Sequence, residues 1–322
     1  MKQAIRYRLP GGTIFNSVIK YLFMNSSAID KNNPLETALF NKKKLVFKQY
    51  FLGYTRSKSS RYRYYKYFYD ILCEIFTPQN NEPQSFLNLN GIYIPKPLSD
   101  HHIDSFVNEI IDFLLPGIVD NRPLIEAAYG EGPYELDEVT VSHGDIVIDC
   151  GANAGLFSAA ASFKGANVYA FEPSEHIIEH YLSKTAEYNR DIFICKYAVS
   201  NKCEKLKFVS DDENIITGHL TFDETVSNNG KKTVLVDTVS LDDFVNKNNL
   251  SSVDFIKADI EGAERYMLKG AESVLKEFAP KISVCTYHLE DDPEVLREII
   301  LKANPNYIIK EKHMKMYAHV PK

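Results

Sequence analysis

The stretch Asp145–Pro173 reads DIVIDCGANAGLFSAAASFKGANVYAFEP. Its apolar run Ile146–Ile148 ends in Asp149, and a loop of small residues follows, Gly151-Ala-Asn-Ala-Gly155. Leu156, Phe157, Ala159, Ala160 and Phe163 then recur at helical spacing, and a second apolar run, Val168–Phe171, ends in Glu172. Strand, tight glycine turn, helix, strand and acid make one βαβ unit of a nucleotide-binding sheet.

The loop discriminates among nucleotides. A dinucleotide site wants a glycine at its second position so that the backbone can approach a pyrophosphate. Here that position is Asn153, and the carboxylate of Asp149 sits just before the turn. A carboxylate there opposes a pyrophosphate and suits a ligand with an ammonium, a sulfonium and no phosphate, such as S-adenosylmethionine. Glu172 lies 21 residues after Gly151, where an acid accepts hydrogen bonds from ribose hydroxyls. Asp149, Gly151, Asn153, Gly155 and Glu172 are therefore candidate cofactor-binding residues. Ala198, after the third strand, falls where an adenine is expected. A phosphate or flavin site, and a βαβ turn with a structural role only, are the alternatives.

Outside this unit, composition bounds the answer. A chain of 322 residues with 44% hydrophobic content supports one large domain or two ordinary ones with a real core. No stretch approaches the ~18 consecutive apolar residues of a membrane span, and Pro10-Gly11-Gly12 interrupts the basic N-terminus before a signal-peptide core develops. Cys73, Cys150, Cys195, Cys203 and Cys285 are scattered and form no C-x-x-C pair, which reads as reduced thiols of a cytoplasmic protein. Charge is segregated: residues 1–100 carry 15 Lys+Arg against 6 Asp+Glu, and the remainder carries 22 against 37. We expect a basic helical arm over residues 1–85 and a main domain over 86–322, divided at the polar stretch around Pro78 and Pro83.

The arm shows helical patterns over 14–22, 35–39 and 62–76, with Arg56, Lys58, Arg61, Arg63 and Lys66 clustered at the start of the last. That cluster is either a solvated face or a contact for an anionic partner: a membrane surface, a phosphorylated glycan carrier, a partner enzyme or nucleic acid. In the main domain, Phe86–Ile94 alternates around Asn90-Gly91 as a hairpin, and Ser105–Leu115 reads as a helix. Further strands are expected at 192–197, 253–258 and 282–286. One helix face runs from Met267 to Phe278, another from Val295 to Ile300, and 307–309 with 314–320 form a closing hairpin. Leu206–Val209 and Thr233–Val236 read as an extra strand pair, with Ser210–Lys232 as a loop between them.

In an open α/β sheet the ligand lies beyond the carboxyl ends of the strands. That edge gathers Asp149, Glu172, Asp259, Glu261 and His288. Methyl transfer from a sulfonium needs an aligned acceptor and removal of its proton. His288 is a candidate base or a structural histidine. Asp259 and Glu261 are candidates for base, substrate orientation or a divalent cation such as Mg²⁺, or else for helix capping. His219 and Asp237, on or beside the insertion, are weaker candidates.

From about Gly132 onward the chain resembles the FkbM-type S-adenosylmethionine-dependent methyltransferases. The resemblance rests on Glu131-Gly-Pro-Tyr-Glu135, the run Gly144–Ser158, Tyr169-Ala-Phe-Glu-Pro173, Val239-Ser-Leu-Asp-Asp-Phe244 and Asp254-Phe-Ile-Lys-Ala-Asp-Ile-Glu-Gly-Ala-Glu264, followed by Met267-Leu-Lys-Gly-Ala271. It implies the class I methyltransferase fold, a Rossmann-like, mostly parallel seven-stranded sheet whose last strand is antiparallel. It also implies O-methylation of a sugar hydroxyl in a bacterial surface polysaccharide or natural-product glycan. A glycan or nucleotide-sugar is the acceptor we expect, and an oligomer is left open. The Lys/Asn/Ile-rich arm lies outside the resemblance and suggests an AT-rich bacterial genome. A nucleic-acid methyltransferase, disfavoured by the acidic main domain, and a nucleotide-binding assembly protein without turnover are the competing readings. An NAD-dependent oxidoreductase is disfavoured by the glycine pattern.

Overall fold

The computed structural model describes residues 85–98 and 133–321, apart from 90, 99–102, 212–213, 223–231 and 313, together with residues 66, 69, 70, 73, 103, 106, 109 and 110. The helical patterns of the arm and the Ser105–Leu115 helix lie outside the described residues but for those isolated positions. The chain forms two compact units, residues 1–77 with 103–133 and residues 78–102 with 134–322. In the first, Tyr69 meets Phe106 edge-on at 6.0 Å. Among the described residues no helix is long and apolar enough to cross a membrane.

The second unit opens with a hairpin, β1 (Phe86–Leu89) and β2 (Ile92–Pro95). Asn88 Oδ1 accepts the Gly91 amide at 2.7 Å. Leu87, Leu89 and Ile94 are fully buried. The β2 backbone is held from both sides by Asn189, whose Oδ1 accepts from Tyr93 N and whose Nδ2 donates to Tyr93 O.

The expected βαβ unit follows as β3 (Ile146–Cys150), α1 (Leu156–Phe163) and β4 (Asn167–Phe171). The next helix, α2, runs through Glu175–Ile177, a π-helical turn at Ile178–Leu182 and Ser183–Tyr188, with Ser174 Oγ accepting the Ile177 amide at its start. The third strand is β5 (Ile192–Cys195), shorter than expected, because Ala198–Val199 leaves the main sheet. Those two residues form β6 and pair with β9 (Lys232–Val239). Between them, β7 (Lys205–Asp211) and β8 (Asn214–Thr221) complete a four-stranded sheet in the order β6-β9-β7-β8. The expected pair β7/β9 is present. The segment expected as a loop instead contributes β8, whose His219, Leu220 and Thr221 pair with Val209, Phe208 and Lys207 on the open edge of β7.

The chain returns through α3 (Leu241–Asn248), β10 (Phe255–Ala258), α4 (Glu264–Lys269), α5 (Glu272–Glu277), β11 (Lys281–Cys285), α6 (Asp292–Ala303), β12 (Ile308–Lys312) and β13 (Lys315–His319). The sequence suggests one helix where α4 and α5 are two. The break falls at Gly270, where a Cβ would stand 2.3 Å from the Ser200 carbonyl oxygen and the Gly270 carbonyl accepts from Asp242 N.

The main sheet runs β12-β13-β11-β10-β3-β4-β5. β5, β4, β3, β10 and β11 are parallel, and β13 is antiparallel to both β11 and β12. The last strand is thus the one reversed strand of seven. The apolar strands are buried on both faces, as a parallel sheet requires, and Ile148, Phe255, Ile256, Val284, Met267, Leu275 and Leu296 form the main core. β3 is flanked by its sequence neighbour β4 on one side and by β10 on the other. The chain therefore reverses its winding there, and ligands bind at such switch points.

At that point the backbones nearly touch. Gly151, at φ +74°, would place a Cβ 2.0 Å from the Asp259 carbonyl oxygen. Gly144 has a similar φ of +85° with open space around it. Gly144→Ala should cost about 1 kcal/mol, the backbone penalty only, and Gly151→Ala roughly 3 kcal/mol or more. Equal losses in urea unfolding would contradict the close approach.

Candidate functional site

The loop after β3 is organised around two buried charges. Asp149 is completely buried, accepts from Ser158 Oγ at 2.6 Å, and stands 3.0 Å from Nζ of Lys257 on the neighbouring β10. Lys257 is its register partner across β3 and β10, and its ammonium also donates to the Gly151 carbonyl at 2.7 Å and the Cys150 carbonyl at 3.3 Å. Burial opposes that charge, but Asp149 and Asp259 hold the Lys257 pKa above its ordinary value. The positive charge meets the Asp149 carboxylate, and the same ammonium ties the loop's carbonyls to β10.

Glu172, at the end of β4, is 5% exposed. One carboxylate oxygen accepts from Asn153 N at 3.1 Å and the other from Ser174 N at 2.8 Å. Asn153 takes φ +50° to present its amide, a conformation that asparagine tolerates better than most residues. Burial pushes the Glu172 pKa up to about 7, against the two amides and Lys257. Each oxygen keeps lone-pair capacity beyond its amide. Gly155, at φ +82°, is filled from the protein side: a Cβ would meet Leu182 at 2.7 Å and Thr185 at 2.9 Å. Ala198 is buried at the start of the second sheet.

The second cluster lies where β10 and β11 end. Asp259 Oδ2 accepts from Tyr134 Oη at 2.5 Å, and its Oδ1 faces Tyr287 Oη at 3.4 Å and His288 Nε2 at 3.6 Å. Burial works against its charge, yet Lys257, Lys315, Tyr134 and His288 keep its pKa below the usual carboxylate value. The Tyr134 ring carries both lysines, with Lys257 Nζ at 5.0 Å and Lys315 Nζ at 4.5 Å from its centroid. Glu261 adopts φ +55° and Gly262 φ +96°. This turn wraps around the fully buried Glu264, whose carboxylate accepts the amides of Ile260 at 2.8 Å and Gly262 at 3.0 Å.

Glu264 also stands 3.0 Å from His288 Nδ1, and Glu261 stands 3.5 Å from His288 Nε2. Burial disfavours a proton on His288, but Glu264, Asp259 and Glu261 outweigh it and raise the pKa to about 9. The same field favours any cation at this place. Asp259, Glu264 and His288 bring ligand atoms within 4.8 Å of one another. Phe222, at the exit of β8, stacks on Tyr266 of α4 at 4.0 Å.

The structure thus gathers Asp259, Glu261 and His288 into one cluster and sets it against the Asp149–Gly151 loop, while Glu172 holds the far side of that loop. His219 and Asp237 lie on the second sheet, opposite Val209 and in an ion pair with Lys205 at 2.9 Å. Sequence reasoning missed Lys257, Glu264 and Tyr134. All three lie within motifs quoted above, and a lysine between Ile256 and Ala258 in a buried strand is itself a signal for a buried counter-charge.

A mostly parallel sheet in this strand order, with its one reversed strand next to last in space and a glycine loop at the switch point, is the class I methyltransferase fold. The chain belongs to the FkbM methyltransferase family: the family profile of the methyltransferase FkbM domain matches residues 149–313, just over half of the chain. S-adenosylmethionine is the cofactor that this membership implies. A hexuronic acid methyltransferase, AglP of Haloferax volcanii, is 25% identical over 159 residues, covering 49% of this chain and 62% of AglP, less than two thirds of its length. The crystal structure of methyltransferase FkbM from Methylobacillus flagellatus aligns with a TM-score of 0.44 at 20% identity, over 69% of this chain and 56% of that one. A putative methyltransferase from Streptococcus mutans in complex with SAH aligns at 0.33 and 9% identity, over 55% of this chain and 88% of that one.

Removing Lys257 strands a buried carboxylate. Lys257→Met should therefore cost about 3–5 kcal/mol. Adding Asp149→Asn to it should recover part of that loss, giving a non-additive double-mutant cycle in equilibrium unfolding.

Proposed function

We propose that the protein transfers the methyl group of S-adenosylmethionine to a sugar hydroxyl of a glycan or nucleotide-linked sugar, in a bacterial surface polysaccharide or a natural product, in the cytoplasm. The observation that carries this reading is the junction at the switch point. The glycine loop lies against the Asp259 backbone, so a donor seated over that loop has the Asp259–Glu261–His288 cluster beside it. The likeness to a hexuronic acid methyltransferase supports a sugar as acceptor.

In this reading the acceptor oxygen attacks the methyl carbon in line with the C–S bond. The bonding pair leaves with sulfur to give S-adenosylhomocysteine, and the hydroxyl proton is drawn off within the cluster. The sulfonium is already activated, so the chain's residues align the acceptor and disperse that proton. Glu172 accepts from the ribose hydroxyls and Ala198 lies by the adenine. The basic arm before residue 85 is the part that would hold an anionic carrier.

Two measurements test this. Transfer of labelled methyl from S-adenosylmethionine to neutral hexose glycans and to hexuronic acids should label the neutral sugars, in a product stable to mild alkali, as an ether is. Alkali-labile label confined to the uronic acids would move the acceptor to a carboxylate, and no transfer to any sugar would overturn the reading. Asp259→Asn should lower kcat by roughly 10²–10⁴ with cofactor affinity little changed.

The pH dependence of cofactor binding tests Glu172. Its folded pKa is raised, so an ionised Glu172 costs the free protein stability as pH rises from its ordinary value through about 7. Ribose hydroxyls donate to the ionised form. Calorimetric affinity should therefore be flat above about pH 8 and fall by up to ~10-fold per pH unit below 7. Glu172→Gln should bind weakly and lose this dependence.

A further inference from the structure

We propose that Tyr287 and Leu289 form an apolar platform for the pyranose ring of the acceptor, with Asp259 and Glu261 beside it to accept hydrogen bonds from the ring's hydroxyls. The inference rests on the reading of the protein as a sugar methyltransferase, and it names the surface that would hold the sugar.

The first argument is exposure at one place. The aromatic side chains of Tyr134, Phe157, Phe171 and Phe255 are buried, whereas Tyr287 and Leu289 are 37% and 40% exposed. They stand on either side of His288 in the chain, and the His288 side chain is 8% exposed. All three follow the carboxyl end of β11, the edge where ligands lie in an open sheet. A single exposed apolar residue is ordinary, but here two bracket a residue of the polar cluster. The surface next to them is open at Gly262. A Cβ there would meet His288 Cβ at 3.8 Å and Leu289 Cγ at 4.0 Å and nothing closer, unlike the filled surroundings of Gly151 and Gly155.

The second argument is the chemistry of the ring and its neighbours. Tyr287 Oη stands 3.4 Å from Asp259 Oδ1, and the Tyr287 and His288 ring centroids are 4.2 Å apart at 44°. The ring is thus held next to two groups that the proposed reaction uses. The face of an aromatic ring is negative, and the C–H bonds on one face of a pyranose are its positive complement. A tyrosine also offers this area at a low cost in torsional freedom. Ionised carboxylates accept hydrogen bonds and donate none. Asp259, and Glu261 with its side chain 33% exposed, therefore call for a ligand with several donors around an apolar ring. A neutral pyranose has that form. A phenol offers one hydroxyl, and an anionic sugar would meet repulsion from both carboxylates.

The test uses the full chain and two readouts. The sequence contains no tryptophan, so Tyr287→Trp puts a single indole on the platform. With S-adenosylhomocysteine present, its emission is followed during titration with oligosaccharides of glucose, galactose and mannose, with glucuronic and galacturonic acids, and with catechol. We expect a neutral sugar to move the emission to the blue and to shield the indole from acrylamide. Ile308→Trp is the control. Ile308 is 53% exposed and pairs with His319, whose neighbour Ala318 pairs with Ile282, so it lies at the opposite end of the sheet, and its emission should not respond. In steady-state transfer, Tyr287→Ala should raise the acceptor KM roughly tenfold, with the S-adenosylmethionine KM within about threefold. Tyr287→Phe, which keeps the ring, should hold the acceptor KM within about threefold. An unchanged acceptor KM in Tyr287→Ala, an emission that no methylated sugar moves, or a response to catechol and to no sugar overturns the platform. If sugars are methylated in that event, the methyltransferase reading stands without it. A sugar-dependent emission with no sugar methylation would do the reverse, and neither response nor transfer would overturn both.

Discussion

The ion pair between Lys257 and Asp149 is the constraint from which the crevice follows. Two full charges have been taken out of water at the join of β3 and β10, and desolvation on that scale is tolerated when the charges meet each other and further hydrogen bonds add to the pair. The ammonium donates to the Gly151 and Cys150 carbonyls and stands 3.0 Å from Asp149 Oδ1 as an ion pair, while Ser158 donates to the other carboxylate oxygen. The carbonyls are those of the loop itself. Its path is therefore fixed by a charge on the neighbouring strand, and Gly151 can lie against Asp259 only because it lacks a side chain.

Around that join the protein separates charge in an orderly way. On one side Glu172 has backbone amides as its donors and a raised pKa, an acid awaiting further donors. On the other, Tyr134 and two lysines hold Asp259 ionised, while Glu264 sits inside a left-handed turn and sets the His288 ring. A non-glycine residue at positive φ is strain that the surrounding hydrogen bonds must offset. Here those bonds come from Glu264 to the residues on either side of Glu261. The strained residue is thus the one whose carboxylate is most exposed.

Periodicity and punctuation were enough to place most elements, because apolar runs bounded by glycine, proline and acids have few other packings in a parallel sheet. Three departures have local causes. β5 ends at Cys195, two residues short of the expected strand, and Ala198–Val199 beyond it pairs with β9. Gly270 divides an apparent single helix because another backbone approaches it. A polar segment read as a loop supplies β8, whose pairing depends on the free edge of β7 and not on its own hydrophobicity.

The sequence by itself determined the βαβ unit, the parallel sheet with its late reversal, and the acids at the strand ends, since each is written in spacing along the chain. It could not determine which charges neutralise one another. Asp149 and Lys257 are 108 positions apart, and Tyr134 and Asp259 are 125 apart; those pairings depend on strand register and on the depth at which side chains lose water. Tertiary structure alone therefore decided that Asp149 anchors the loop through a lysine, and that His288 lies among Asp259, Glu261 and Glu264.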